Sequence, residues 1–141
     1  MRGKKEELIA FVAQLKGRKV LIKGNHDDVS DYRYQQLFHE ICDYKETHDT
    51  IGKEHYSLVL SHYPIFSWRN MGRGRILLYG HTHESEEDRF YQKCLSEMRA
   101  NDCRHVYEAE ELRAYNVGCM RDYMNYTPRT LEEILNSRSK V

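Results

Sequence analysis

Gly24-Asn25-His26-Asp27, Ser61-His62-Tyr63-Pro64 and Gly80-His81-Thr82-His83 hold the side chains best suited to chemistry in this sequence. Imidazole nitrogens bind borderline divalent ions, and an Asn oxygen suits hard or borderline ones. Each stretch follows a run that reads as a β-strand, and each sets its polar residue beside Gly or Pro. Ligands would then project from the ends of a sheet, as in a hydrolytic metal centre. If the segment after Tyr79 stays extended, His81 and His83 point to one face and Thr82 points away. Plainer readings stand beside each stretch. A His-x-His pair is as well explained by an exposed turn. A lone strand-end His62 is commonly a rim residue bonded to backbone. Gly, Asn and Asp are also ordinary turn formers. Ser61 has no base partner in a recognisable motif, so a serine nucleophile is set aside. The ordered set of three stretches is harder to dismiss than any one of them.

The elements needed to position these residues follow from periodicity. Leu8, Phe11, Val12 and Leu15 predict a helix over 4–16, stopped at Gly17. Lys19–Lys23 is an apolar run too short for a helix, hence a buried strand. Ser30 would cap a helix through about Ile41, with Leu37, Phe38 and Ile41 inward. Tyr44–Ile51 and His55–Leu60 around Gly52-Lys53 predict a hairpin, and Pro64 must then leave the sheet. Residues 67–74 read as a glycine-punctuated loop, and Arg75–Tyr79 as a further strand. Phe90, Cys94, Leu95 and Met98 predict an amphipathic helix after the acidic run 84–88. Leu112–Val117 reads as a strand, and Thr130 with Glu133 is a capping box for a last helix. Alternating strands and helices with one hairpin give an α/β class with a mixed sheet.

The chain has 141 residues, with Lys+Arg and Asp+Glu both 22 and no net charge. That length supports one domain. The charge balance gives no support to general nucleic-acid binding or to membrane-surface binding. No apolar run reaches the ~18 residues of a membrane helix, and the start Met-Arg-Gly-Lys-Lys-Glu-Glu is too charged for a secretory signal. Four cysteines without C-x-x-C spacing read as reduced thiols, so the expected location is cytoplasmic. A structural zinc site from Cys94, Cys103 and His105 fits no familiar spacing.

Gly-Asn-His-Asp at 24–27, Ser-His at 61–62 and Gly-His-Thr-His at 80–83 resemble the later sequence blocks of the calcineurin-like metallophosphoesterases. The flanks agree: Tyr63-Pro64 and Trp68 after His62, Asn116-Val117-Gly118 before a Cys, and the terminal Thr-Leu-Glu-Glu-Ile-Leu helix. They are most similar to small bacterial and phage members. The resemblance covers most of residues 1–141, with 84–111 as a variable insertion. It implies a calcineurin-like αββα sandwich with mixed sheets and two metal ions about 3.5–4 Å apart. Asn25, His62 and His81 would bind one ion and His83 the other, with manganese favoured over iron, zinc or nickel. His26 would act near the leaving-group oxygen as general acid or charge stabiliser, a role imidazole suits near neutral pH. Asp27 would fix the turn. The implied substrate is a small phosphoester or nucleotide-like molecule, and Arg69, Arg73 and Arg75 beside Trp68 would be either phosphate contacts or a solvated basic loop.

The family's Asp-x-His and Gly-Asp blocks are absent before Gly24. His83 is then the sole recognisable protein ligand at its ion, too few for a divalent metal in water. The expectation is a chain lacking the family's first strands, at most one weakly bound ion, and impaired hydrolysis. Central strands missing from a sheet would also leave an edge open to self-association. The alternative is a non-catalytic protein-interaction module on the same fold.

Overall fold

A computed structural model describes residues 2–138 of the chain, which divides into two compact units, Met1–Asp43 and Tyr44–Val141. The first unit begins with helix α1 (Arg2–Gln14), followed by Gly17 at φ +90°, a backbone conformation that glycine adopts without steric cost. Of the helix's predicted apolar stripe only Val12 is buried; Leu8, Phe11 and Leu15 are exposed. Strand β1 (Val20–Ile22) pairs in parallel with β2 (Glu40–Cys42), Val20 opposite Glu40 and Ile22 opposite Cys42. Bonds from His39 N–H to the Lys19 carbonyl and from Lys23 N–H to the Cys42 carbonyl, each 2.8 Å, extend that pairing at both ends.

The helix expected from Ser30 to Ile41 is only one turn, α2 (Tyr32–Gln35). Asp31 caps it, accepting from Arg33 N–H at 2.9 Å, while the Ser30 hydroxyl accepts from Lys5. Phe38 packs edge-on against Tyr34. Ile41 belongs to β2, where pairing with β1 satisfies backbone groups that a longer helix would have to claim.

The second unit is built on a four-stranded mixed sheet in the order β3-β4-β5-β6. Strands β3 (Tyr44–Ile51) and β4 (Glu54–Ser61) form the predicted hairpin, with Gly52 at φ +62° in its turn. Strands β5 (Ile76–Tyr79) and β6 (Ala114–Asn116) add in parallel, Leu58 opposite Ile76 and Leu77 opposite Ala114. Between β5 and β6 runs α3 (Glu86–Ala100), and α4 (Leu131–Arg138) follows the sheet. Side chains on both faces of the central strands find apolar partners, which explains their unbroken apolar runs. Val59, Leu77 and Tyr79 pack with Trp68, Met71, Leu95 and Leu112 on one face. Leu58 and Ile76 pack with Leu131 on the other. Phe90, expected on the inner stripe of α3, is exposed, and the buried positions there are Asp88 and Leu95.

Candidate functional site

Strands β4, β5 and β6 run in parallel, so Ser61-His62, Gly80-His81 and Val117-Gly118 emerge together at their carboxyl ends. Ligand sites in open α/β sheets gather at such an end. The His62 carbonyl accepts from both Gly80 N–H (3.1 Å) and His81 N–H (2.9 Å), locking the two strand exits together. Above that lock, His62 Nε2 and His81 Nδ1 lie 3.1 Å apart. The Tyr63 ring stands against both imidazoles, with centroids 4.9 Å from His62 and 4.5 Å from His81.

Glycine makes the strand exits fit. A Cβ on Gly118 would come within 3.0 Å of the Gly80 carbonyl oxygen and 3.1 Å of Asn116 Oδ1. The segment beyond Tyr79 is a turn rather than the extended run that would put His81 and His83 on one face. His83 has φ +48° and is exposed, and its carbonyl accepts from Asn116 Nδ2 at 2.6 Å. Thr82 points inward and is buried, bonding Asp88 rather than solvent. Wrapping the turn around Asn116 and Asp88 is what bends it.

Asn25 and His26 lie in the first unit, exposed in the turn after β1. Gly24 N–H donates to Asp27 Oδ2 at 2.8 Å and Asp27 N–H to the Gly24 carbonyl at 3.2 Å, so Asp27 does fix that turn. Arg69 and Arg75 both bind Glu46, and Arg73 binds Glu108. Arg75 precedes β5 whereas His81 follows it, so they stand at opposite ends of a strand about 13 Å long.

Asp88 and the inward role of Thr82 were not legible in the sequence motifs. Their signal was Ser85 three residues before Asp88, a helix-start pattern that the structure realises: Ser85 Oγ accepts from Asp88 N–H at 3.2 Å. Burial first, and then the bond to Asp88, push the Tyr79 phenol well above its ordinary range, so it remains a donor. Burial likewise raises Tyr91, whose hydroxyl donates to the Ile65 carbonyl.

Two imidazole nitrogens bound to one ion at ordinary metal–nitrogen lengths lie about 3–3.4 Å apart, so the 3.1 Å pair has the right spacing and donor type for a shared divalent cation. Among the described residues, no group of three or more His, Cys, Asp or Glu could hold an ion, Cys94, Cys103 and His105 included. No helix among them is long and apolar enough to cross a membrane.

No family model matches the chain. No solved structure matches it. It is 31% identical over 97 residues to the Gene 66 protein of Mycobacterium phage D29, an alignment covering 55% of this chain and 49% of that protein. The chain thus spans about half the length of the curated relative it matches.

Proposed function

We propose that this chain carries the histidine pole of a metal-dependent phosphoesterase centre of the calcineurin-like kind. The observation behind the reading is the His62–His81 pair, 3.1 Å apart at the exits of adjacent parallel strands. His62 and His81 would hold the ion; the family resemblance assigns Asn25 to that same ion and His83 to a second one. A bound divalent ion lowers the pKa of its water and neutralises charge on phosphoryl oxygens. The chain's own part is to tie the two strand exits by two backbone hydrogen bonds into the His62 carbonyl and to set Tyr63 against both rings. His26 would protonate or stabilise the leaving oxygen.

The sequence has no Asp-x-His or Gly-Asp to supply a bridging carboxylate. For residues 1–141 assayed by themselves we therefore expect one weakly held ion and hydrolysis well below that of a complete two-metal site. Calorimetric titration with Mn²⁺, beside turnover of a generic phosphodiester, tests this. The expected result is one weak binding event, abolished by His62→Ala and by His81→Ala, with little turnover. Binding unchanged in both variants would remove the metal reading and favour the interaction module. Two tight ions with brisk turnover would contradict the predicted impairment.

A further inference from the structure

Asp88 stands in the first turn of α3 with 5% of its surface exposed, and a carboxylate so placed is costly without donors. Its Oδ1 accepts from the Tyr79 hydroxyl at 2.7 Å, the Thr82 hydroxyl at 2.8 Å and the Asn116 amide at 2.9 Å. Its Oδ2 faces Arg121 at 3.8 Å, an electrostatic contact beyond hydrogen-bond length. The three donors come from the end of β5, the His81–His83 turn and the end of β6. Asn116 is fully buried, and its amide also donates to Thr82 Oγ1 at 3.2 Å and to the His83 carbonyl at 2.6 Å. Its Oδ1 accepts Gly118 N–H at 3.0 Å. Gln92 braces the same cluster, donating to the Tyr79 hydroxyl and the Ala114 carbonyl.

None of these bonds reaches an imidazole. They end on the residue between the two histidines and on the backbone of the second. Holding α3 does not require that arrangement, because the Ser85 cap and buried Leu95 already anchor the helix. The bonds do hold His83 at φ +48°, a conformation non-glycine residues seldom adopt unaided.

We propose that Asp88 is a positioning residue for the candidate metal pair: acting through Thr82 and Asn116, it holds the 81–83 turn so that His81 meets His62. Its effect on metal affinity rests on the function proposed above, whereas its effect on the imidazole pair does not. Supporting partners one step removed from a metal commonly alter affinity by 10–100-fold when removed.

The test uses the full chain and three variants, Asp88→Asn, Thr82→Val and Thr82→Ser. Long-range proton–nitrogen NMR of the histidine rings reports, without metal, whether His62 and His81 share one proton across their contact. Mn²⁺ calorimetry reports affinity. Folded Asp88→Asn and Thr82→Val should lose the linked ring pattern and bind Mn²⁺ roughly 10–100-fold more weakly. Thr82→Ser, which keeps the hydroxyl, should retain both. If Asp88→Asn fails to fold, the Thr82 pair decides. A folded Thr82→Val with wild-type ring pattern and affinity would overturn the proposal while leaving the metal reading intact. Loss of the ring pattern in a protein whose wild type binds no Mn²⁺ would sink the metal reading and keep the positioning role.

Discussion

Two imidazole nitrogens 3.1 Å apart have two chemically distinct resting states. Either one donates a proton to the other, or both lone pairs face a common cation. Backbone bonds hold the strand exits in either case, so replacing one ring should not disturb the strands beneath it. His81→Ala is expected to melt within a few degrees of wild type by circular dichroism while losing Mn²⁺ binding. Gly118→Ala should behave in the opposite way. Its Cβ would press within 3.0 Å of the Gly80 carbonyl oxygen, and crowding of this kind costs about 1–3 kcal/mol. Chemical denaturation would measure that loss, and an unchanged midpoint would mean that the two strand exits separate easily. Asp31 gives a pH signature in the first unit, its carboxyl held down to about 2 chiefly by the Arg33 side chain. A depressed carboxylate stabilises the fold above its ordinary pKa of about 4 and loses that contribution as pH falls toward about 2. Carboxyl NMR should find Asp31 titrating in that acid window, and Arg33→Ala should move it back toward the ordinary value.

Strands β4 and β5 were legible because both of their faces are buried, leaving short apolar runs punctuated by Gly and Pro. The last helix was legible because its signal is contiguous. Thr130 N–H donates to Glu133 Oε2 at 2.7 Å, and Glu133 N–H returns to Thr130 Oγ1 at 3.3 Å. The Thr130 N–H, and after it the Thr130 hydroxyl donating to Oε2 at 3.1 Å, hold the Glu133 carboxyl below its usual range. Thr130→Ala should cost about 1 kcal/mol in denaturant unfolding. Residues 30–41 misled because Leu37, Phe38 and Ile41 fit a helical stripe, yet the parallel bond partner for Ile41 lies some twenty residues earlier in the chain. Local spacing cannot reveal such a partner. The buried Asp88 cluster was hidden for the same reason. It assembles from β5, a turn, α3 and β6, and Asp88 is one of three acids in a row. The candidate ligands His62 and His81 were legible as residue types, but their meeting depended on strand order. The predicted common face for His81 and His83 failed because a buried network, invisible to spacing, bends the turn.

The balanced charge and the sheet edges also bear on how the protein meets other molecules. The four-stranded sheet ends on one side in β6, three residues long, and on the other in β3, which carries Lys45, Glu46, His48 and Asp49. Short or charged edges are poor templates for strand addition. If self-association occurs, the exposed Leu8, Phe11 and Leu15 of α1 offer a more apolar surface than either edge of that sheet. Sedimentation of Phe11→Ser beside wild type would separate the two routes: weaker association points to the helix, unchanged association to an edge.

In the proposed metal site His62 and His81 present their nitrogens to one divalent ion. That arrangement is tested most directly by adding substoichiometric Mn²⁺ and following paramagnetic broadening of every histidine ring signal. The predicted result is early, selective loss of the His62 and His81 signals while those of His48 and His55, in the hairpin at the far side of the sheet, stay sharp. Uniform broadening of all exposed histidines, or none at His62 and His81, would contradict it.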